Sequence, residues 1–98
     1  MKYIDDMIEK VDDEIEGAME YAEQYIVQRA AGNMSRAGQY REMAMQELGH
    51  ATILRDYAIQ DVEAIKKNHT LTEDETEHWN KCLRKLTEKM AGVKTLLA

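Results

Sequence analysis

Within a long run of helix-forming residues, Glu47-Leu48-Gly49-His50 sets a carboxylate and an imidazole three residues apart. Residues at that spacing share a helix face, so both side chains point the same way. Upstream, steps of three and four from Ile4 give Ile4, Met7, Val11, Glu14, Ala18, Tyr21 and Tyr25, a seam of coiled-coil type interrupted by Glu14. The same walk downstream gives Tyr40, Met43, Glu47, His50, Leu54, Tyr57 and Asp61, flanked by Ala44, Leu48, Ala51, Ala58 and Val62. Glu14, Glu47 and His50 are therefore expected on inward faces. Two carboxylates brought together away from water lose hydration and repel each other, and a divalent or trivalent cation is the simplest compensation. Oxygen and nitrogen donors of this kind suit Fe or Mn, and also Zn.

Bringing Glu14 to Glu47 and His50 requires two long helices and a reversal between them. The chain has no Pro, five Gly, seven Met and no Phe, a helix former's composition. Over residues 3–31 only Gly17 opposes a helix, at a cost of about 1 kcal/mol against Ala. The stretch Ala31 to Arg36 carries a Gly-Asn stop signal and then Ser35, a suitable N-cap for a second helix over 36–67. That helix ends on Lys66 and Lys67, where cations suit the negative end of the helix dipole. So short a connection makes the two helices antiparallel neighbours. With a reversal near residue 33 or 34, Glu14 lies opposite about residue 53, and within one helical turn, about 5.4 Å, of His50.

Asn68-His69-Thr70 breaks the chain again, and Thr72 with Glu75 three residues later matches a capping box. Trp79, Cys82, Leu83, Leu86, Met90, Val93 and Leu97 then recur at helical spacing over 73–97. The predicted fold class is all-α, a long antiparallel hairpin with a third amphipathic helix outside it, in a single domain spanning residues 1–98. A chain of this length is near the lower end of comfortable single-core size, so a partner subunit would help to bury apolar surface.

Glu14 with Tyr21 seven residues on, followed by Glu47-x-x-His50-Ala51, resembles the metal-binding half of the ferritin-like superfamily over about residues 3–66. In ferritins and rubrerythrins each such helix pair gives one Glu and one Glu-x-x-His to a dinuclear iron centre, with the seventh-residue Tyr close by. The resemblance implies that Glu47 bridges two ions, that Glu14 is a terminal ligand and that His50 binds through one ring nitrogen. It also implies that Tyr21 hydrogen-bonds a ligand carboxylate or passes an electron to the centre, although a tyrosine at a helix interface is also an ordinary core feature.

A complete site of this kind needs four helices, of which the chain encodes two. Two copies about a two-fold axis supply four Glu and two His, the full ligand set. The small encapsulated ferritins, which the chain resembles in length and helix count, build their centre this way. The implied protein is a homodimer, or an assembly of dimers, forming a ferritin-like four-helix bundle around two Fe ions, with Mn and Zn left open. The implied activity is ferroxidase-type oxidation of Fe(II) by dioxygen or peroxide. A dimer of such short chains has no room for a mineral cavity, so storage would require a larger assembly or shell. The rival class is a non-enzymatic helical interaction or assembly protein that keeps a degenerate ferritin-like hairpin without turnover.

Glu75-x-x-His78 on the third helix offers a second copy of the motif, but Glu75 belongs to the capping box and no fourth helix carries a matching Glu. One cysteine, Cys82, cannot make the four-cysteine iron site that rubrerythrins add. It is expected as a small apolar side chain, without an assignable His partner, and His69 and His78 as solvated residues beside helix ends. Met7, Met43, Met45 and Met90 are expected as core filler, and Asp12-Asp13 and Glu73 to Glu77 as solvated faces. The stretch Ala91 to Ala98 resembles the short tails that direct cargo into encapsulin shells, which would make a shell protein a partner; it serves equally to finish the third helix. A net charge of −6, from 19 acidic and 13 basic side chains, argues against nucleic acid. With no apolar run of membrane-spanning length, no leader and no cysteine pair, the expected location is cytoplasmic, or inside a protein compartment.

Overall fold

Good helix formers run to Ala30 and are then stopped by a glycine, and the computed structural model, which describes residues 2–98, turns the chain there. Three helices result: α1 (Lys2–Ala30), α2 (Met34–Asn68) and α3 (Glu73–Leu97). Gly32 adopts a left-handed φ of 82°, which favours glycine because a Cβ would clash. Its N–H donates to the Arg29 carbonyl at 3.1 Å and the Asn33 N–H donates to the Gln28 carbonyl at 2.9 Å, the paired bonds of a Schellman motif. This tight turn starts α2 at Met34, earlier than expected. Asn33 rather than Ser35 occupies the N-cap, and its side chain donates to Gln28 instead of capping α2. Before α3 the expected capping box is complete: the Glu75 N–H donates to the Thr72 hydroxyl at 3.1 Å, and the Thr72 N–H donates to the Glu75 carboxylate at 3.0 Å. Those bonds, led by the Thr72 backbone N–H, hold the Glu75 carboxyl below its ordinary value.

The hairpin closes on small residues. Ala18 and Ala22 of α1 and Ala37, Ala44, Ala51 and Ala58 of α2 are buried, so the helix backbones approach closely. Ile4, Val11 and Ile15 add bulk along α1, and α3 lays Leu86, Met90, Val93 and Leu97 into one groove of the hairpin. At the other end Trp79 closes over Ile4, Ala58 and Val62. Polar pegs fasten α3: Lys89 Nζ reaches Asp12 Oδ1 at 2.6 Å, and Arg41 Nε donates to the Leu97 carbonyl at 2.9 Å. Asp12, expected on a solvated face, is instead a half-buried ion-pair partner. Val93 and Leu97 are buried, so the C-terminal stretch finishes α3. The rod measures 55 × 19 × 18 Å. Among the described residues no helix is long and apolar enough to cross a membrane.

The inward seam of the second helix differs from expectation. Its buried stripe is Ala37, Ala44, Leu48, Ala51, Ala58 and Val62, most of them expected only as flanking residues. Tyr40, Met43, Glu47 and Leu54 are half-buried, while His50 and Tyr57 are exposed. A hairpin has two grooves and α3 fills only one, so Glu14, Glu47 and His50 border the groove left open. Met90 is core filler as expected, Met7 and Met43 are half-buried, and Met45 is exposed because it lies on the outer side of α2.

Leu86→Ala removes a buried side chain at the α3 contact and is expected to cost about 2–5 kcal/mol in urea unfolding. Ile53→Ala, at a half-exposed position, should stay within about 0.5 kcal/mol.

Candidate metal centre

The Gly32 turn sets which residues of α1 and α2 face each other. Tyr3 Oη donates to Asp61 Oδ2 at 2.7 Å, Glu14 faces His50, and Gly17 faces Glu47, three pairs each centred on residue 32. Because the chain reverses there and not at residue 33 or 34, the residue opposite Glu14 is His50 rather than one near 53. His50 Nδ1 lies 3.7 Å from Glu14 Oε2 and 4.0 Å from Glu47 Oε1. The three residues expected to ligate metal are therefore brought together, with one donor atom from each within 4.8 Å of the others.

Gly17 is part of this arrangement, one turn after Glu14 on the same helix. A Cβ at Gly17 would lie 3.1 Å from Glu47 Oε2, so the missing side chain leaves the space that the Glu47 carboxylate uses. Sequence alone assigns Gly17 only a helix cost. Its signal is legible once the hairpin is reflected about Gly32, which puts Gly17 opposite Glu47.

The site is shallow: the His50 side chain is 59% exposed, and those of Glu14 and Glu47 are 30% and 28% exposed. The Glu47 carboxyl is held above its ordinary value of 4.5, first by a hydrogen bond with the Glu14 carboxylate, then by burial and by Glu14's charge, with His50 opposing. A proton taken up by Glu47 relieves this crowding in the chain by itself.

The donor set fits a cation. Three donors each about 2.1 Å from one ion are mutually at most about 3.6 Å apart, so a contraction of up to about 1 Å, within reach of two flexible Glu side chains, closes the group around one ion.

Other expected residues are placed elsewhere. The Tyr21 ring packs 6.3 Å from that of Tyr40, tilted by 34°, two turns from the donors toward the Gly32 end. Glu75 stays in its capping box, and His78 Nε2 lies 2.7 Å from Asp5 Oδ1, so neither joins Glu14. Cys82, expected without a His partner, has His78 one turn before it, with Sγ 3.8 Å from Nδ1. That pair was legible as His-x-x-x-Cys on one helix face. His69 is exposed beside the end of α2, as expected. Comparison with protein-family models, with curated proteins and with solved structures finds no match.

A carboxyl with a raised folded value favours the fold most fully when protonated. That contribution is complete below the unfolded carboxyl range and is lost as pH rises through the folded value. Metal-free protein should therefore lose stability relative to Glu47→Gln as pH rises through the folded pKa of Glu47, measured by urea unfolding across a pH series. Gly17→Ala is expected to stabilise the metal-free chain, by up to about 1 kcal/mol of helix propensity. The same change should weaken divalent-metal binding in calorimetry, because it displaces the Glu47 carboxylate.

Proposed function

We propose that two copies of this chain pair through the open groove of the hairpin and hold two metal ions, iron foremost, between Glu14, Glu47 and His50 of each copy. The convergence of those three side chains on the one groove that α3 leaves uncovered carries this proposal. Around them Met7, Tyr21, Tyr40, Met43 and Leu54 form a half-buried, largely apolar border, the kind of surface a second helical face covers. The paired hairpins would make a four-helix bundle with a ligand set like that of the ferritin-like proteins.

When bound, iron supplies one-electron chemistry toward dioxygen or peroxide, and the activity proposed is oxidation of Fe(II) to Fe(III). The chain's own residues prepare the place for it. Glu47 would be shared between the ions, Glu14 would be a terminal ligand, and His50 would add a nitrogen donor that favours transition metals over calcium or magnesium. Gly17 keeps the Glu47 carboxylate seated. A proton on Glu47 competes with the cation, so uptake weakens on acidification. Burial of the groove by a second copy removes water from a site that is half open in the single chain, which strengthens every charge interaction within it.

The shallow, exposed setting of His50 favours one rival, an interaction protein that pairs through the same groove without turnover. Anaerobic Fe(II) titration followed by oxygen separates the two. The parent chain should bind iron at least about tenfold more tightly than Glu47→Ala or His50→Ala, and oxidise it faster than buffer. A parent that binds no more iron than these variants leaves only the interaction protein. Sedimentation at micromolar concentration should give a dimer, and a monomer with and without metal overturns the shared site.

A further inference from the structure

Where α3 begins, three side chains that the proposed iron site does not use come together. His78 and Cys82 lie one turn apart on α3, and Asp5 reaches them from the start of α1. Asp5 Oδ1 is 2.7 Å from His78 Nε2, and Cys82 Sγ is 3.8 Å from His78 Nδ1 and 3.9 Å from Nε2. The thiol therefore lies over the ring, about equally far from its two nitrogens. Cys82 is half-buried and the His78 side chain is 48% exposed, so the group is open to small ions.

The hydrogen bond to Asp5 places the proton of the neutral ring on Nε2, which leaves the lone pair on Nδ1, beside the thiol. A metal-binding imidazole is usually held this way, with one nitrogen for the ion and the other on a carboxylate that fixes tautomer and ring angle. Sulfur at about 2.3 Å and nitrogen at about 2.1 Å from a tetrahedral ion are about 3.6 Å apart, so turning the thiol from over the ring to the Nδ1 side closes the pair around an ion. The helix keeps the two donors on one face whether or not an ion is bound.

We propose that His78 Nδ1 and Cys82 Sγ hold a thiophilic divalent cation of the zinc(II) class, with Asp5 fixing the imidazole from outside and water filling the remaining positions. As the sulfur–metal bond forms, the thiol proton leaves to solvent and nothing is oxidised or reduced. A thiolate donor makes this site softer than the carboxylate group of Glu14 and Glu47, so the two select different ions. Since Asp5 belongs to α1, ion binding also tightens the attachment of α3 to the hairpin, and the folded chain gains stability by mass action. The two sites share no residue, so failure of either leaves the other intact.

Cobalt(II) is the probe, because a thiolate bound to it gives a near-ultraviolet charge-transfer band that zinc, with its filled d shell, lacks. The titration uses the full chain carrying Glu47→Ala and His50→Ala, which silences the first site. The expected result is a saturable charge-transfer band that zinc(II) abolishes by displacement and that is absent in Cys82→Ser. Affinity should fall at least about tenfold in His78→Ala and about tenfold in Asp5→Asn, with helical circular dichroism unchanged. Zinc(II) should raise the melting temperature of the chain carrying Glu47→Ala and His50→Ala, and not that of the same chain with Cys82→Ser added. No band at millimolar cobalt overturns the proposal, and so does a band whose affinity is indifferent to both His78→Ala and Asp5→Asn, since that describes an isolated surface thiol.

Discussion

The antiparallel register of α1 against α2 is the constraint on which the rest of this molecule depends. It is set at one point, the left-handed Gly32, whose paired backbone bonds reverse the chain within three residues. It is then held along the rod by alanines, which let the two helices lie close enough that a slip would drive larger side chains into backbone. Tyr3 with Asp61, Glu14 with His50 and Gly17 with Glu47 are consequences of that single reflection. A slip of one turn would move the partners by about 5.4 Å, enough to separate the donors.

The second decision is which groove α3 covers. Leu86, Met90, Val93 and Leu97 present a continuous apolar edge that matches one side of the hairpin, and Lys89 and Arg41 find partners there. The other groove contains Glu14 and Glu47. Covering it with an apolar helix would strip water from two adjacent carboxylates without supplying a positive charge, at a cost of several kcal/mol per ion. The charged site and the placement of α3 are thus linked: the hydration that the carboxylates would lose disfavours an apolar lid over this groove.

Gly17 shows the same tension on a smaller scale. Helix propensity favours almost any other residue at the centre of a 29-residue helix. The position instead accommodates the Glu47 carboxylate from the facing helix, and a rule of local preference gives way where a polar group must sit. His78 makes a comparable case: it lies beside Cys82 on one face of α3, and its carboxylate partner, Asp5, comes from the start of another helix.

Much of this was legible without coordinates. Three helices, their approximate ends, the capping box at Thr72 and Glu75, and the apolar face of α3 all follow from periodicity and from the chemistry of Gly, Asn, Thr and Glu, which act within a few residues along the chain. Glu14, Glu47 and His50 could be paired from spacing alone, to within one turn. What spacing could not give was burial, because a helix seam states only which residues share a face, and not which of two grooves a third helix will fill. Gly17 and Asp5 gained their roles only across helices, as did the exposure of His50 and Tyr57. Local backbone preference and hydrophobic period are written residue by residue and so determined the elements; the register more finely than one turn, the open groove and the contacts across it arise from packing between segments distant in sequence, and only the tertiary structure decided them.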